Sequence, residues 1–229
     1  MKANLLQSNA IIFFTRIPVP GKTKTRLSPL LTMDECCLLQ KAFIRDVYQV
    51  LKEVKTNCDI LVCFSQEGGL ADLSQLLPGV HSFFPQQGEN IGEKMHNAIS
   101  QTLNKGYSRC LLIGSDLPLL RAAALDEAFS LLETNDVVLC PTEDGGYYLI
   151  GMKEPCADVF QIEYGISTVF EKTLVAAVKA GKSCVAGQGT MDIDTPDDLF
   201  NLREKLALEN EFVCLHTRNI LRDLSCLHG

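Results

Sequence analysis

Cys110-Leu111-Leu112-Ile113 runs straight into Gly114-Ser115-Asp116-Leu117-Pro118. A short unbroken apolar run ended by turn residues is the pattern of a strand buried on both faces, as in a parallel sheet. Asp116 then lies where such a strand delivers it, at the carboxyl edge, and in open α/β sheets ligands bind at that edge. A carboxylate there suits a divalent cation carrying substrate phosphates, because Mg²⁺ takes one or two carboxylates alongside phosphate oxygens and water. Ser115 or Asp116 would serve equally well as the cap of a following helix, so the flanking segments decide between the readings.

The same alternation of strand and helix extends in both directions. Toward the N-terminus, residues 9–15 read as a strand. Thr32-Met33-Asp34-Glu35 is a capping box opening a long helix. Its apolar residues Leu39, Phe43, Val47, Val50, Leu51 and Val54 recur at three- and four-residue spacing. A strand over residues 59–65, a short helix over 70–77 and a strand over 80–84 follow. Ile91, Met95, Ile99 and Leu103 mark the next helix, with Gly106 just beyond its end. After the Asp116 segment come a helix over 120–132 and strands over 136–140 and 147–152. Thr168 with Glu171 predicts a capped helix ending at Gly181, and residues 183–186 a short strand. Thr195-Pro196-Asp197-Asp198 shows cap, first-turn proline and N-terminal acids in the expected order, opening a helix to about residue 209. Such alternation predicts an α/β fold with three layers: a Rossmann-like, mostly parallel sheet with helices on both faces. No linker or repeat interrupts it. The expectation is one domain over residues 1–229, with residues 210–229 a helical C-terminal tail.

Composition narrows the function classes. In 229 residues, 46% are apolar and 21% charged, which is ordinary for a folded domain. A net charge of −7 argues against a nucleic-acid partner, so an anionic ligand needs a local basic patch. No apolar run is long enough to span a bilayer. The N-terminal run is broken by Thr15-Arg16 and two prolines, unlike a signal peptide, and a cytoplasmic protein is expected. The ten cysteines are scattered without a CxxC pair, and Cys63, Cys110, Cys140 and Cys184 fall inside predicted elements, where a thiol acts as a small hydrophobe. Cys214-Leu215-His216, echoed by Cys226-Leu227-His228, carries zinc-type ligand atoms at a spacing that matches no familiar finger.

Four segments carry the chemistry. Gly21-Lys22-Thr23-Lys24-Thr25-Arg26, after the first strand, gathers three basic side chains on a glycine-containing loop at the ligand edge, a phosphate cradle. It is not a P-loop, because Arg16 stands where that pattern needs its first glycine. Gln86-Gln87-Gly88-Glu89-Asn90 offers amides that could read a base or sugar, or forms a plain turn and helix start. Glu143-Asp144-Gly145-Gly146-Tyr147-Tyr148 suits a wall for a polyhydroxylated acceptor, although a hairpin explains it equally. In Met191-Asp192-Ile193-Asp194 the period of two puts both acids on one side, and one of them could complete a metal shell begun by Asp116.

In the order and spacing of these motifs, over residues 9–206, the chain resembles the small bacterial nucleotide-diphospho-sugar transferase-like proteins of GT-A-type fold, often labelled glycosyltransferases. The likeness rests on Phe14-Thr15-Arg16 with Pro20 to Leu27, on Gly114 to Pro118, on Glu143 to Gly151, and on Asp192-Ile193-Asp194-Thr195-Pro196-Asp197-Asp198-Leu199. It implies a sheet that binds a nucleotide diphosphate, with Asp116 in the place of the metal-binding acid of the D-x-D motif. Two departures stand out. Gly114 occupies the position of the first acid of D-x-D, and Thr15-Arg16-Ile17-Pro18 replaces the glycine-rich loop of related nucleotidyltransferases.

The expected activity is a metal-dependent transferase that moves a sugar from a nucleoside-diphospho-sugar donor to a small-molecule acceptor. Thr15, Arg16, Gly21, Lys22, Lys24, Arg26, Gln87, Gly88 and Ser115 are the expected nucleotide and phosphate contacts. Asp116 and Asp194 would hold Mg²⁺ or Mn²⁺. Glu143 or Asp144 would be the general base, and Gly145, Gly146 and Tyr147 would meet the acceptor. One alternative is a nucleotidyltransferase acting on a nucleoside triphosphate and a small phosphorylated acceptor. Another is a nucleotide-binding regulatory protein without turnover.

Overall fold

The computed structural model describes residues 8–211 and 213–224. Asn9–Thr15 forms β1, whose side chains are apolar on both faces and buried, as a central strand requires. Its parallel neighbours are β2 (Cys58–Phe64) and β4 (Arg109–Ile113). With β3 (Ser82–Pro85), β5 (Val137–Pro141), β6 (Tyr147–Met152) and β7 (Cys184–Ala186), the described residues make one seven-stranded sheet in the order β3-β2-β1-β4-β6-β5-β7. Only β6 runs antiparallel to its neighbours, so the sheet is mostly parallel, as expected. From β1 the chain winds outward to β2 and β3, then returns to place β4 on the opposite side. That reversal opens a crevice between the carboxyl ends of β1 and β4, where Asp116 emerges.

Strand alternation divides the core. Ile11 and Phe13 point to one face, with α1 (Met33–Lys52), α2 (Leu70–Leu76) and α4 (Ala122–Thr134) packed over them through Val47, Leu73 and Phe129. Ala10 and Ile12 point to the other, under α3 (Ile91–Leu103) and α5 (Val169–Lys179) through Ile99 and Ala177. A third cluster joins the outer face of α1, at Leu39 and Phe43, to α6 (Pro196–Leu208) and α7 (Leu215–Asp223). This layer also buries Met191 and Ile193.

Local signals explain most boundaries. Thr32 accepts from the Glu35 amide while Glu35 reaches back to the Thr32 amide, and Thr195 and Asp198 repeat this at α6. Thr168 makes no side-chain cap, contrary to the expected opening of α5. That end is held instead by the Phe170 amide, which donates to the Gly145 carbonyl at 2.9 Å. At the tail, α7 is capped from a distance. Asp46 of α1 accepts from the His216 and Thr217 amides at 3.0 and 2.7 Å. No helix among the described residues is long and apolar enough to cross a membrane.

Candidate active site

The loop after β1 is tightly folded rather than loose. Thr23 is buried and its hydroxyl accepts from the Val19 amide at 2.9 Å, and the Ile17 amide donates to the Ser65 hydroxyl at 3.1 Å. This folding forces Lys24 into the left-handed region at φ 51°, a conformation that costs a non-glycine residue about 1–2 kcal/mol. The strain turns the Lys24 side chain inward. Its ammonium sits 2.8 Å from Asp116 Oδ2 and 2.9 Å from Asp194 Oδ1, donates to the Ile193 carbonyl, and lies 5.7 Å from the centre of the Phe43 ring. Lys24 therefore bridges the two acids and is not extended toward a phosphate. Burial works against its charge, but Asp116 and Asp194 hold its pKa above the ordinary lysine value.

Asp116 is positioned from three sides. Gln40 of α1, itself buried, donates to Asp116 Oδ1 at 2.7 Å and contacts the Ser115 hydroxyl at 2.9 Å. The Ile193 amide donates to the Asp116 carbonyl at 3.1 Å. Because Met191 and Ile193 are buried under α1 and α6, the intervening Asp192 and Asp194 face the site, as the period of two predicts. Burial would raise the Asp194 carboxyl, yet Lys24, with Arg26 and Arg16, holds it below the ordinary range. Asp192 makes no ion pair among the described residues, and burial, with Asp144 and Asp194 adding to it, outweighs the pull of Lys24 and pushes its carboxyl up to about 6.

Two cavities meet at Asp116. The larger, about 600 Å³, is of nucleotide size. Arg16, Lys22, Lys24, Arg26 and Lys94 line it, with Thr15, Ser115, Asp194, Gln86 and Asn90. The smaller, about 160 Å³, is bounded by Phe14, Met95, Thr142, Tyr147, Tyr148 and Asp192.

Several expected contacts fall elsewhere. Gly21 packs near Met33 and lies outside the lining, as do Gln87 and Gly88. The Gln87 carbonyl accepts from Asn97, and Gln86, Asn90 and Lys94 of the same segment face the cavity instead. Neither candidate base lines either of these two cavities. Glu143 pairs with Lys205 at 3.0 Å, and Asp144 holds its own turn, accepting from the Thr142 hydroxyl at 2.5 Å and the Gly146 amide at 2.9 Å. Gly145 and Gly146 belong to that turn and line neither of the two cavities. At Gly145, φ is +87° and a Cβ would meet the Ser167 carbonyl oxygen at 1.9 Å, so glycine is a packing requirement there. Tyr147 does line the smaller cavity, with its hydroxyl 3.5 Å from that of Tyr164. Gln40 escaped the sequence reading, although a glutamine among the apolar positions of α1 was a visible signal.

Among the described residues Cys214 and His216 join no cluster of metal-ligating side chains. The Cys214 thiol is buried against the Pro118 carbonyl and pushed up to about 12 by that burial, and Cys226 and His228 lie outside the described residues. No group of three or more His, Cys, Asp or Glu side chains among the described residues gathers as a metal cage. Asp116 and Asp194 do converge on one cation position, which the Lys24 ammonium fills. Two carboxylates with substrate phosphates and water suffice for Mg²⁺, so the donor set fits such an ion once phosphates are present.

Comparisons with known proteins bear on the family and the fold. Residues 48–165 match the family described as "Uncharacterized protein conserved in bacteria (DUF2064)". A crystal structure from Desulfovibrio desulfuricans G20, provisionally named a nucleotide-diphospho-sugar transferase, superposes with a TM-score of 0.88 at 30% identity, covering 97% of each chain. A 2-phospho-L-lactate guanylyltransferase from Methanocaldococcus infernus is 26% identical over 195 residues, 81% of this chain and 82% of that one. A cytidylyltransferase from Leptospira borgpetersenii shares the fold alone, with a TM-score of 0.57 at 14% identity over 95% of this chain and 94% of that one.

Proposed function

We propose that this chain, which belongs to the DUF2064 family, is a nucleotidyltransferase that joins a nucleoside monophosphate to a small phosphorylated acceptor. Its standing as a transferase of the nucleotide-diphospho-sugar transferase fold is the firmer part. The choice of bond is the reading offered here, and it favours nucleotidyl over the glycosyl transfer expected first. One observation carries it. An acidic chain gathers Arg16, Lys22, Arg26 and Lys94 around a cavity whose floor is Asp116. Lys24 and Arg26 already pair with Asp194, and Glu67 and Glu89 share the lining, so among the described residues Arg16, Lys22 and Lys94 are the cations not set on an acid, a set that suits a polyphosphate chain. The guanylyltransferase likeness over four-fifths of the chain supports the same choice.

In this reading an oxygen of the acceptor phosphate bonds to the α-phosphorus, the α–β anhydride bond breaks, and pyrophosphate leaves. Asp116 and Asp194 would hold Mg²⁺ or Mn²⁺ in place of the Lys24 ammonium, and the ion would supply charge neutralisation on the phosphates. Lys22, Arg26 and Arg16 bind the β- and γ-phosphates, and Ser115 and Gln40 fix the Asp116 carboxylate. No general base is needed, because an ionised phosphate is its own nucleophile. Catalysis is then positioning and electrostatics.

The test is product identity. Nucleoside triphosphates, guanosine first, are offered with Mg²⁺ and a panel of phosphate monoesters, and sugar nucleotides are offered in parallel. Pyrophosphate release, lost in Asp116→Asn, supports the reading. Release of free nucleoside diphosphate from a sugar nucleotide, with no pyrophosphate from any triphosphate, returns it to glycosyl transfer, which the D. desulfuricans likeness favours.

A further inference from the structure

The two cavities that meet at Asp116 differ in charge. Phe14, Gly114, Ser115 and Asp116 belong to both. Beyond them the larger cavity carries Arg16, Lys22, Lys24, Arg26 and Lys94 alongside Glu67 and Glu89, whereas the smaller runs between aromatic walls to Thr142 and Asp192. Among the described residues no Lys, Arg or His lines the smaller one. Its charged groups are the carboxylates of Asp116 and Asp192, and Lys24 is already bound to Asp116 and Asp194.

A cavity of about 160 Å³ is small. Comparable apolar cavities hold a benzene-sized group, so this one has room for a carrier of about three carbons and not for a nucleoside. With the donor in the larger cavity, an attacking phosphate at the junction sets the rest of its molecule beside this space. Resting on the nucleotidyl-transfer reading, we propose that the cavity receives the acceptor's carrier and selects one that donates hydrogen bonds, through hydroxyl or ammonium groups, over one bearing a second anion. Asp192 and the Thr142 hydroxyl accept from such donors, and Tyr147, Tyr148 and Phe14 cover the carbon skeleton. A carboxylate in the same place would face Asp192 across a cavity whose own lining offers no side-chain cation, while any ion at Asp116 is taken up by the phosphates, an arrangement that rejects a ligand by like charge. Phosphorylated hydroxy acids would thus be excluded, and phosphorylated polyols or amino alcohols admitted.

Glycerol 3-phosphate and 3-phosphoglycerate make a matched pair, differing by a hydroxymethyl group in place of a carboxylate, and phosphoethanolamine supplies the ammonium arm. Each is titrated calorimetrically into the protein with Mg²⁺, with and without a non-hydrolysable guanosine triphosphate analogue. The expected result is binding of glycerol 3-phosphate or phosphoethanolamine roughly tenfold or more tighter than 3-phosphoglycerate. Asp192→Asn should narrow that gap. Whichever of the two binds better identifies the donor group, and either supports the proposal. Equal or tighter binding of 3-phosphoglycerate overturns it, as does a gap unchanged in Asp192→Asn or no binding of any of the three. Pyrophosphate release separates the two readings. Turnover with 3-phosphoglycerate as best acceptor keeps nucleotidyl transfer and sinks the cavity's selectivity. A preserved binding preference without pyrophosphate from any triphosphate does the reverse.

Discussion

Lys24 is where conformation, charge and chemistry meet. A left-handed backbone turns its ammonium between Asp116 and Asp194, so removing it sets two carboxylates against each other. Lys24→Met should lower stability by roughly 1–3 kcal/mol in urea unfolding, a discounted figure because both acids remain more than a third exposed. Added Mg²⁺ or Mn²⁺ should restore much of the loss, since the vacated position suits a divalent ion. No recovery would mean that the acids do not form a metal site. Asp192 behaves oppositely. Burial, helped by Asp144 and Asp194, holds its carboxyl up to about 6, against about 3.9 when unfolded. The folded state binds more protons between those values, so this group costs stability as pH rises from about 4 through 6. Asp192→Asn should therefore stabilise the protein at pH 7, by on the order of 1 kcal/mol after allowing for screening at a half-buried site. The gain should vanish below about pH 4. Thermal unfolding across pH in the presence of a chelator checks both the sign and the window.

At the level of elements, the sequence revealed whatever is encoded over a few residues. Unbroken apolar runs and helical spacing marked β1, α1, α3 and β4, and the capping boxes at Thr32 and Thr195 named their own partners. Features made by distant partners were hidden. The reversed direction of β6 is the exception, since the hairpin reading of Asp144-Gly145-Gly146 implies its antiparallel pairing with β5, but its apolar run alone reports burial and not chain sense. Glu143 and Asp144 looked catalytic because nothing nearby shows that Lys205 and a Thr142 turn occupy them. Asp116 and the Asp192/Asp194 pair were legible because a strand end and an alternating segment predict where side chains point. Gln40 was not, because its partner lies 76 residues away. The same holds for α7, whose N-terminal amides rely on Asp46, 170 residues away in the case of His216. Asp46→Ala should cost about 1–3 kcal/mol by leaving two amides unmet, and should raise amide hydrogen exchange in α7 well before the sheet. Unchanged exchange there would show that the apolar contacts of Leu221 and Leu224 hold the helix without the cap.

For the molecule as a whole, the winding reversal between β1 and β4 makes one crevice, and the surrounding loops give it opposite charges on its two sides. A chain of net charge −7 that concentrates cations at one cavity should bind nucleotides in a salt-sensitive way. A triphosphate with Mg²⁺ at 100 times its Kd adds about 2.7 kcal/mol to the folded state, which for a domain of this size raises Tm by roughly 5–10 °C. The shift should shrink in Lys22→Ala/Arg26→Ala and should be far smaller for the bare nucleoside. Equal shifts for nucleoside and triphosphate would remove the phosphate cradle from the account. The most direct test of the central claim follows the phosphorus. With a triphosphate labelled at the α-phosphorus, Mg²⁺ and a phosphorylated polyol or amino alcohol, the account predicts that the label appears in the acceptor-linked diphosphate product while unlabelled pyrophosphate is released. Label that remains in nucleoside triphosphate, with transfer observed only from a sugar nucleotide and its diphosphate leaving intact, would contradict it.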